Sequence, residues 1–473
     1  MNGANRGAWV IVIASVGCEP IGLDPLSVDS TSGGQGGSSG STSSSTPASS
    51  TGSSSASGSA GASPEAWKSM TSPACDAPLA LIDPFDVGTV VNGLFGSAIS
   101  TSGDTTAVGR GANPFQGDKG AVHVYTFDGG AWSSAPQVLT PSDDYATNSE
   151  DFGYSVSVSG DTMAIGAPFH TIAAQPLIAF AGAVYIFTRV DGVWAPEGPP
   201  IVADDAGPND HFGASVSLSG PYMVVGAPHD KVNDHGPGAA YLFKRGDGGF
   251  QQAQKLPAIG ETSPAATFGR SVSISGERIV VGAPRSSLIQ HDSGAAFAYE
   301  IEHGFAYPRP LPIFKSDLPG GNSLGLSVAV SGSTLAVGES GPEILQTGTV
   351  MLFTWDEAKG SWEREVRVDC SASLSRRLRG VVGLTGDTLV LQSTRMDDGL
   401  LQGGAHVFRR KNGTWAEVAR LGANDGNVND LFAQSVAVSE RATGEAEIWV
   451  GAGRSAQNVD RVGAVFRFAL TPP

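Results

Sequence analysis

Apolar and small polar positions alternate in Ser155-Val156-Ser157-Val158, and the same short pattern returns along most of the chain. A period of two places successive side chains on opposite faces of a β-strand. Gly160-Asp161 follows, a tight turn in which glycine accepts positive φ, and then a second apolar run, Met163-Ala164-Ile165. Beyond a longer loop, Gly182-Ala183-Val184-Tyr185-Ile186-Phe187 supplies a third strand, and Gly192-Val193-Trp194 turns the chain into a fourth. The unit this predicts is a four-stranded antiparallel meander.

Copies of the unit begin at Phe95, Phe152, Phe212, Phe268, Leu324, Leu378 and Phe432, 54 to 60 residues apart. One small sheet cannot cover its own apolar faces, but seven packed face to face around an axis cover one another. The expected fold is therefore all-β, a seven-bladed β-propeller of four-stranded antiparallel blades. The tryptophans that follow the second turn, such as Trp132, Trp194, Trp362 and Trp415, are expected to anchor blade against blade rather than to hold a ligand. The seventh copy supplies strands at 432–438, 448–450 and 462–468 and then stops. Leu79-Ala80-Leu81-Ile82, just ahead of the first copy, is expected to lie beside 462–468 as the missing fourth strand. An open solenoid would leave that segment without a role.

The phrases Phe152-Gly153 and Gly166-Ala167-Pro168 frame the second copy, and the third and fourth repeat them at Phe212-Gly213 with Gly226-Ala227-Pro228 and Phe268-Gly269 with Gly282-Ala283-Pro284. These phrases resemble the FG-GAP repeats of integrin α subunits, in a shorter, bacterial form. The resemblance covers about 79–470, is strong in copies two to four, and thins in the fifth and sixth. In integrin α subunits several blades carry an Asp- and Asn-rich calcium loop between the two phrases. Here only a turn such as Ser159-Gly160-Asp161 stands there, too few oxygens for an ion that takes six to eight, so the resemblance brings no integrin-type calcium site. It does imply that ligands bind on the face formed by the second-to-third loops and the links between blades.

The region ahead of the repeats reads differently. Arg6 precedes the apolar run 8–14, and Ser15-Val16-Gly17-Cys18 follows, the order of a signal peptide. The run is too short to span a bilayer. The Cys18 context resembles the lipobox of bacterial lipoproteins; Gly17 fits it, and Ser15 stands where the family has leucine. This implies lipidation at Cys18 and an outer-membrane or cell-surface location, with simple secretion as the alternative. Residues 27–63 are almost wholly Ser, Gly, Thr and Ala, which leaves no apolar surface to bury and reads as a flexible tether. The expected organisation is a signal segment at 1–18, a tether at 19–63 and the propeller at 64–473.

Charge narrows the partners. The formal net charge of −17, with no basic run of any length, excludes a nucleic-acid role and leaves a lipid anchor as the route to a membrane. With Cys18 in the export region, only Cys75 and Cys370 remain to pair, and the sequence leaves open whether they do. Much of the acidity falls in the long loops of the expected binding face, at Asp143, Asp144, Asp204, Asp205, Asp230 and Asp234. These are the candidate ligand-binding residues; the competing reading is that such residues cap turns. Asp425, Asn427 and Asn429 alternate like the start of a calcium loop but lack its glycine and closing glutamate, so calcium is a weak candidate cofactor. His229-Asp230 with Asp234-His235 is a weaker one for a transition metal.

No nucleophile elbow, phosphate-cradling loop, zinc helix or paired-carboxylate signature is present. The expected function is thus a non-enzymatic, monomeric binding or adhesion module for an extracellular protein or glycan. The alternative is an extracellular propeller hydrolase or lyase acting on glycan.

Overall fold

The computed structural model describes residues 69–71, 81–82, 85–91 and 94–470, apart from 113–118, 143–150, 231–235, 262, 264, 289–292, 310–322, 341–347, 370–375, 398–399, 423–431, 442 and 453–461. Within these residues every regular element is a strand, and the strands form seven sheets, one for each repeat. In the second blade Ser155–Ser159, Thr162–Ala167, Ala183–Val190 and Val193–Pro196 lie side by side in chain order, each antiparallel to the next. The other blades open with Leu94–Ser102, Ser215–Ser219, Ser271–Ser275, Ser323–Ser331, Arg376–Thr385 and Phe432–Glu440. Each opening strand lies against that of the next blade, and the seventh lies against the first, so the ring closes as a seven-bladed β-propeller.

The alternating serines of the opening strands have a definite task. An innermost strand has a partner on one side only, and half of its N–H groups would be left unpaired. Those groups are met by serines of the preceding blade: Val158 N–H donates to Ser100 Oγ (3.0 Å), Leu218 N–H to Ser157 (2.9 Å), Ile274 N–H to Ser217 (3.1 Å) and Val330 N–H to Ser273 (3.0 Å). The valines and isoleucines between them are buried. The strand that reads as half-polar in sequence is therefore buried on both faces, with its polar face bonded across the seam.

The two hallmark phrases also meet at the seams. Gly269 holds φ +89°, which aims its carbonyl into a notch over Gly226, where it accepts a bond from Ser215 Oγ at 2.8 Å. Gly213 does the same over Gly166 with Ser155, Gly325 over Gly282 with Ser271, and Gly96 over Gly451 with Ser435. The last of these joins blade seven to blade one.

The apolar core lies in layers between neighbouring blades. One layer combines Val122, Val124 and Leu139 of blade one with Val156, Met163 and Ile165 of blade two, and a second combines Val184 and Ile186 of blade two with Val216, Val225 and Tyr241 of blade three. Trp194, Trp362 and Trp415 are all buried in such layers, as expected of packing anchors.

Closure uses a different N-terminal strand from the one expected. Phe85–Val91 pairs antiparallel with Val462–Leu470 and completes blade seven. Leu81–Ile82 instead runs parallel to Thr414–Leu421 as a fifth strand on blade six, and Ser69–Thr71 adds in the same way to Ser361–Asp369 of blade five. The run at 79–82 is denser in leucine and isoleucine, which is why it reads as the closing strand. The segment that pairs is nearer the first blade, which leaves it little chain with which to reach any other sheet edge. Cys18, Cys75 and Cys370, the signal segment and the tether lie outside the described residues.

Blade six carries a buried ionic cluster that links stability to pH. Glu417 Oε1 accepts from Arg420 Nε and lies against His406 Nδ1, both at 2.7 Å, with the carboxylate fully buried. Burial works against ionisation, but the bonds to His406 and Arg420 outweigh it and hold the carboxyl below its ordinary value of 4.5. A depressed folded pKa adds stability above the unfolded value, and that stability is lost as pH falls through the folded value. Between about pH 5 and 3 the unfolding midpoint of the native chain is therefore expected to drop more steeply than that of Glu417→Gln. Near neutrality the variant is expected to be less stable by roughly 3 kcal/mol, since the buried Arg420 loses the carboxylate charge that Glu417 sets against it. Thermal unfolding across that pH range checks both.

Candidate binding face

The link between blades two and three and the second-to-third loop of blade three meet on the same face. Asp205 comes from the link, Asp230 follows Gly226-Ala227-Pro228, Tyr241 lies on Ala239–Gly246 and Lys255 on Gly249–Leu256. Tyr241 donates its hydroxyl to Asp205 Oδ1 at 2.9 Å and closely to Asp230 Oδ2. Lys255 Nζ bonds both carboxylates, at 2.7 Å and 2.8 Å, and lies over the Tyr241 ring. Two of the expected ligand residues are thus brought together, with two partners that the sequence does not mark.

The electrostatics of this quartet are those of a clamp. Burial, then the neighbouring Asp230 and Asp205, push the Tyr241 phenol far up, so it remains a neutral donor. Burial works against charge on both Lys255 and Asp205, yet their mutual bonds raise the amine and lower the carboxyl, leaving both ionised. Asp230 is 6% exposed and Asp205 49%, so only the outer half of the group meets solvent.

The position of Asp230 recurs in neighbouring blades. His170, Asp230 and Ser286 each stand two residues after a Gly-Ala-Pro phrase and donate their backbone N–H to its alanine carbonyl. His170 Nδ1 faces Tyr185 Oη at 3.4 Å, and Ser286 Oγ bonds Glu261 of the next link closely. The quartet is one of three versions of a lock that ties a loop to its blade. Removing the phenol by Tyr241→Phe is expected to cost about 1–2 kcal/mol and to speed amide exchange at 226–230, measured by hydrogen exchange.

Other acidic residues hold the loops themselves. Asp210 accepts from Gly207 N–H within its own link, which supports turn capping there, whereas Asp151 accepts from Ala112 N–H at 2.8 Å and ties the link before blade two to the second-to-third loop of blade one. Asp204 is exposed, and its backbone N–H is held by Gln252 Oε1 at 3.2 Å. Asp143, Asp144, Asp234, Asp425, Asn427 and Asn429 lie outside the described residues. Among the described residues no group of three or more His, Cys, Asp or Glu side chains is placed to hold a metal.

Two features of this face escape a reading of the sequence. Phe169 stacks edge-on against both Phe180 and His211, and His211 lies 4.6 Å from His229 between ring centroids. Asn209, His211 and Phe212 donate backbone bonds to Ala179, Phe180 and Ala181, zipping the link to the neighbouring loop. The second feature is the residue after each Phe-Gly phrase. Arg270 Nη1 of blade four donates to Tyr154 Oη of blade two at 3.2 Å, passing blade three, whose equivalent residue is Ala214. A bond between blades that are not neighbours has to run over the mouth of the axial opening. The signal in the sequence is a variable residue inside an otherwise fixed phrase.

The family comparison agrees with this architecture. Four segments, 134–187, 200–243, 250–299 and 415–468, match the FG-GAP repeat family, so the chain carries FG-GAP repeats on a seven-bladed propeller. All four end in the third strand of a blade, and those at 134–187, 250–299 and 415–468 begin at the outer strand of the blade before. The family unit is thus offset by one strand from the blade, which is why closure needs a strand from elsewhere. No curated protein matches the chain. Among solved structures, an ancestral GH74 enzyme is 12% identical with a TM-score of 0.44, covering 83% of this chain and 49% of its own. An acylaminoacyl peptidase in complex with a chloromethyl ketone is 9% identical with a TM-score of 0.38, covering 74% and 50%. Sqt1 from Chaetomium thermophilum is 12% identical with a TM-score of 0.40, covering 73% and 78%. The chain spans about half the length of the first two.

Proposed function

We propose that this chain is a binding or adhesion module, exported and held at a cell surface through a lipidated Cys18 and the 19–63 tether, which recognises an extracellular protein or glycan through its loop face. The observation that carries the reading is the division of labour between the two ends of each blade. First-to-second turns are two residues long in blades one to six and five in blade seven, whereas loops of unequal length gather at the other end, and those around blades two and three are fixed there by the Asp205–Asp230–Tyr241–Lys255 clamp and the 179–212 zipper. Rigidly held, dissimilar loops on a repetitive scaffold suit recognition, because little ordering entropy remains to be lost on binding. The clamp's phenol and amine are each held in one protonation state, which suits fixed recognition better than proton transfer.

An array of glycans and matrix proteins, probed with the purified chain with and without Ca²⁺, tests this. Retention on a subset of spots without product supports the reading. Release of fragments would instead establish the hydrolase or lyase alternative, and no retention anywhere would remove the adhesive role.

A further inference from the structure

The second-to-third loop of blade two differs in kind from the others. From Thr162 to Thr188 the chain has no Asp, Glu, Lys or Arg, in a protein of net charge −17. Every other second-to-third loop carries at least one, such as Asp230 and Lys231 in blade three or Arg285 and Asp292 in blade four. Within the uncharged span Ile172 and Ile178 exchange backbone bonds at 3.0 Å and 3.2 Å, which makes 172–178 a small hairpin. Its outer residues are apolar and open to solvent. Leu177 is 68% exposed, the most of any large hydrophobic side chain among the described residues, Phe180 is 43% exposed, and Ala173 and Pro176 are exposed as well.

These side chains are held in place. Phe180 packs edge-on against Phe169, and Phe169 against His211 of the link between blades two and three. The carbonyls of Ala179 and Phe180 accept from Asn209 and His211 N–H at 2.9 Å and 3.2 Å. Phe180 holds φ +53°, a region that a bulky side chain enters at a cost, so its half-exposed position is imposed by these contacts rather than by local preference. Single apolar side chains are ordinary on a surface, but several on one fixed, uncharged hairpin mark a contact with another molecule.

We infer that this hairpin is the contact point for a protein partner, with Leu177 and Phe180 entering an apolar pocket rimmed by Lys and Arg, an inference that rests on the loop-face reading above. The rim follows from charge. The link bonded to the hairpin carries the exposed Asp204, and the clamp formed with Asp205 sets two carboxylates against one ammonium. A cationic rim is drawn to that surround, while the uncharged tip loses little on leaving water. A glycan suits the tip less, because Gln175 is the one hydrogen-bonding side chain from Ala173 to Phe180 and a small polar ligand needs several that converge. The acidic surround also works against an anionic membrane.

The glycan and matrix-protein spots of the array above, probed with the full chain and with Leu177→Ser, Leu177→Met and Phe180→Asn, test this. Retention is expected on protein spots, to fall roughly tenfold or more in Leu177→Ser and Phe180→Asn, and to persist in Leu177→Met. Both positions are exposed and asparagine accepts the left-handed φ at 180, so the unfolding midpoints are expected to match that of the native chain. Association with a retained protein is expected to slow several-fold between about 50 and about 500 mM NaCl. Retention on glycan spots alone, protein binding that ignores both Leu177→Ser and Phe180→Asn, or association indifferent to salt overturns the inference and leaves the loop-face reading standing. Phosphatidylcholine vesicles that hold the native chain but not Leu177→Ser would assign the tip to lipid and overturn it as well. No retention on any spot removes the loop-face reading and this inference with it.

Discussion

Gly226→Ala is expected to destabilise the ring by about 3 kcal/mol or more, the high end of overpacking costs, and to do so far beyond the loss of flexibility at one glycine. A Cβ at this position would lie 1.9 Å from the Gly269 carbonyl oxygen and 2.4 Å from Ser215 Oγ. Neither can move away cheaply. The carbonyl belongs to the backbone of the next blade, and the hydroxyl is the group that bonds it. Separating the blades to admit a methyl group would also open the Val224–Ile279 layer, where both side chains are fully buried. Gly220→Ala is the matched control: that glycine has φ +55°, and a methyl group there would meet nothing within 4 Å, so only backbone strain of about 1 kcal/mol is expected. Denaturant unfolding of the two variants compares seam with turn. Similar losses in both would show that close approach of the blades is not what the Gly-Ala-Pro phrase provides.

Removing the chain up to Val91 is expected to have the other large effect, a loss of the cooperative, monomeric fold. Blade seven would keep Phe432–Glu440, Ala446–Ala452 and Val462–Leu470, and the outer edge of Val462–Leu470 would stand unpaired. An open edge of nine residues pairs with other chains unless something blocks it. The same truncation takes Ser69–Thr71 and Leu81–Ile82 from the edges of blades five and six. Truncation at residue 63 serves as the control and is expected to leave the unfolding midpoint unchanged. Sedimentation and thermal unfolding of the two truncations, followed by adding a peptide of residues 81–92 in trans, check the point. A stable monomer lacking 1–91 with the full-length midpoint would show that the ring holds without this strand.

The sequence by itself determined the repeat, the four-stranded unit, the number of blades and the need for an N-terminal strand. Each is a local matter: alternation in Ser155–Ser159, a turn at Gly160-Asp161 and a count of recurring phrases are visible in any one stretch of chain. Which N-terminal segment closes the ring was decided only by the fold. Leu81–Ile82 and Phe85–Val91 both suit a strand, and the edge each reaches depends on distances along the assembled ring. The same holds for the binding face. The sequence marked Asp205 and Asp230 as acidic loop residues, but Tyr241 and Lys255 lie on strands where nothing distinguishes them from packing residues. Arg270 and Tyr154 stand 116 positions apart, and their meeting over the axial mouth exists only once seven blades have closed around it. Proximity of that kind is a property of the ring, since each sheet taken alone has no axis.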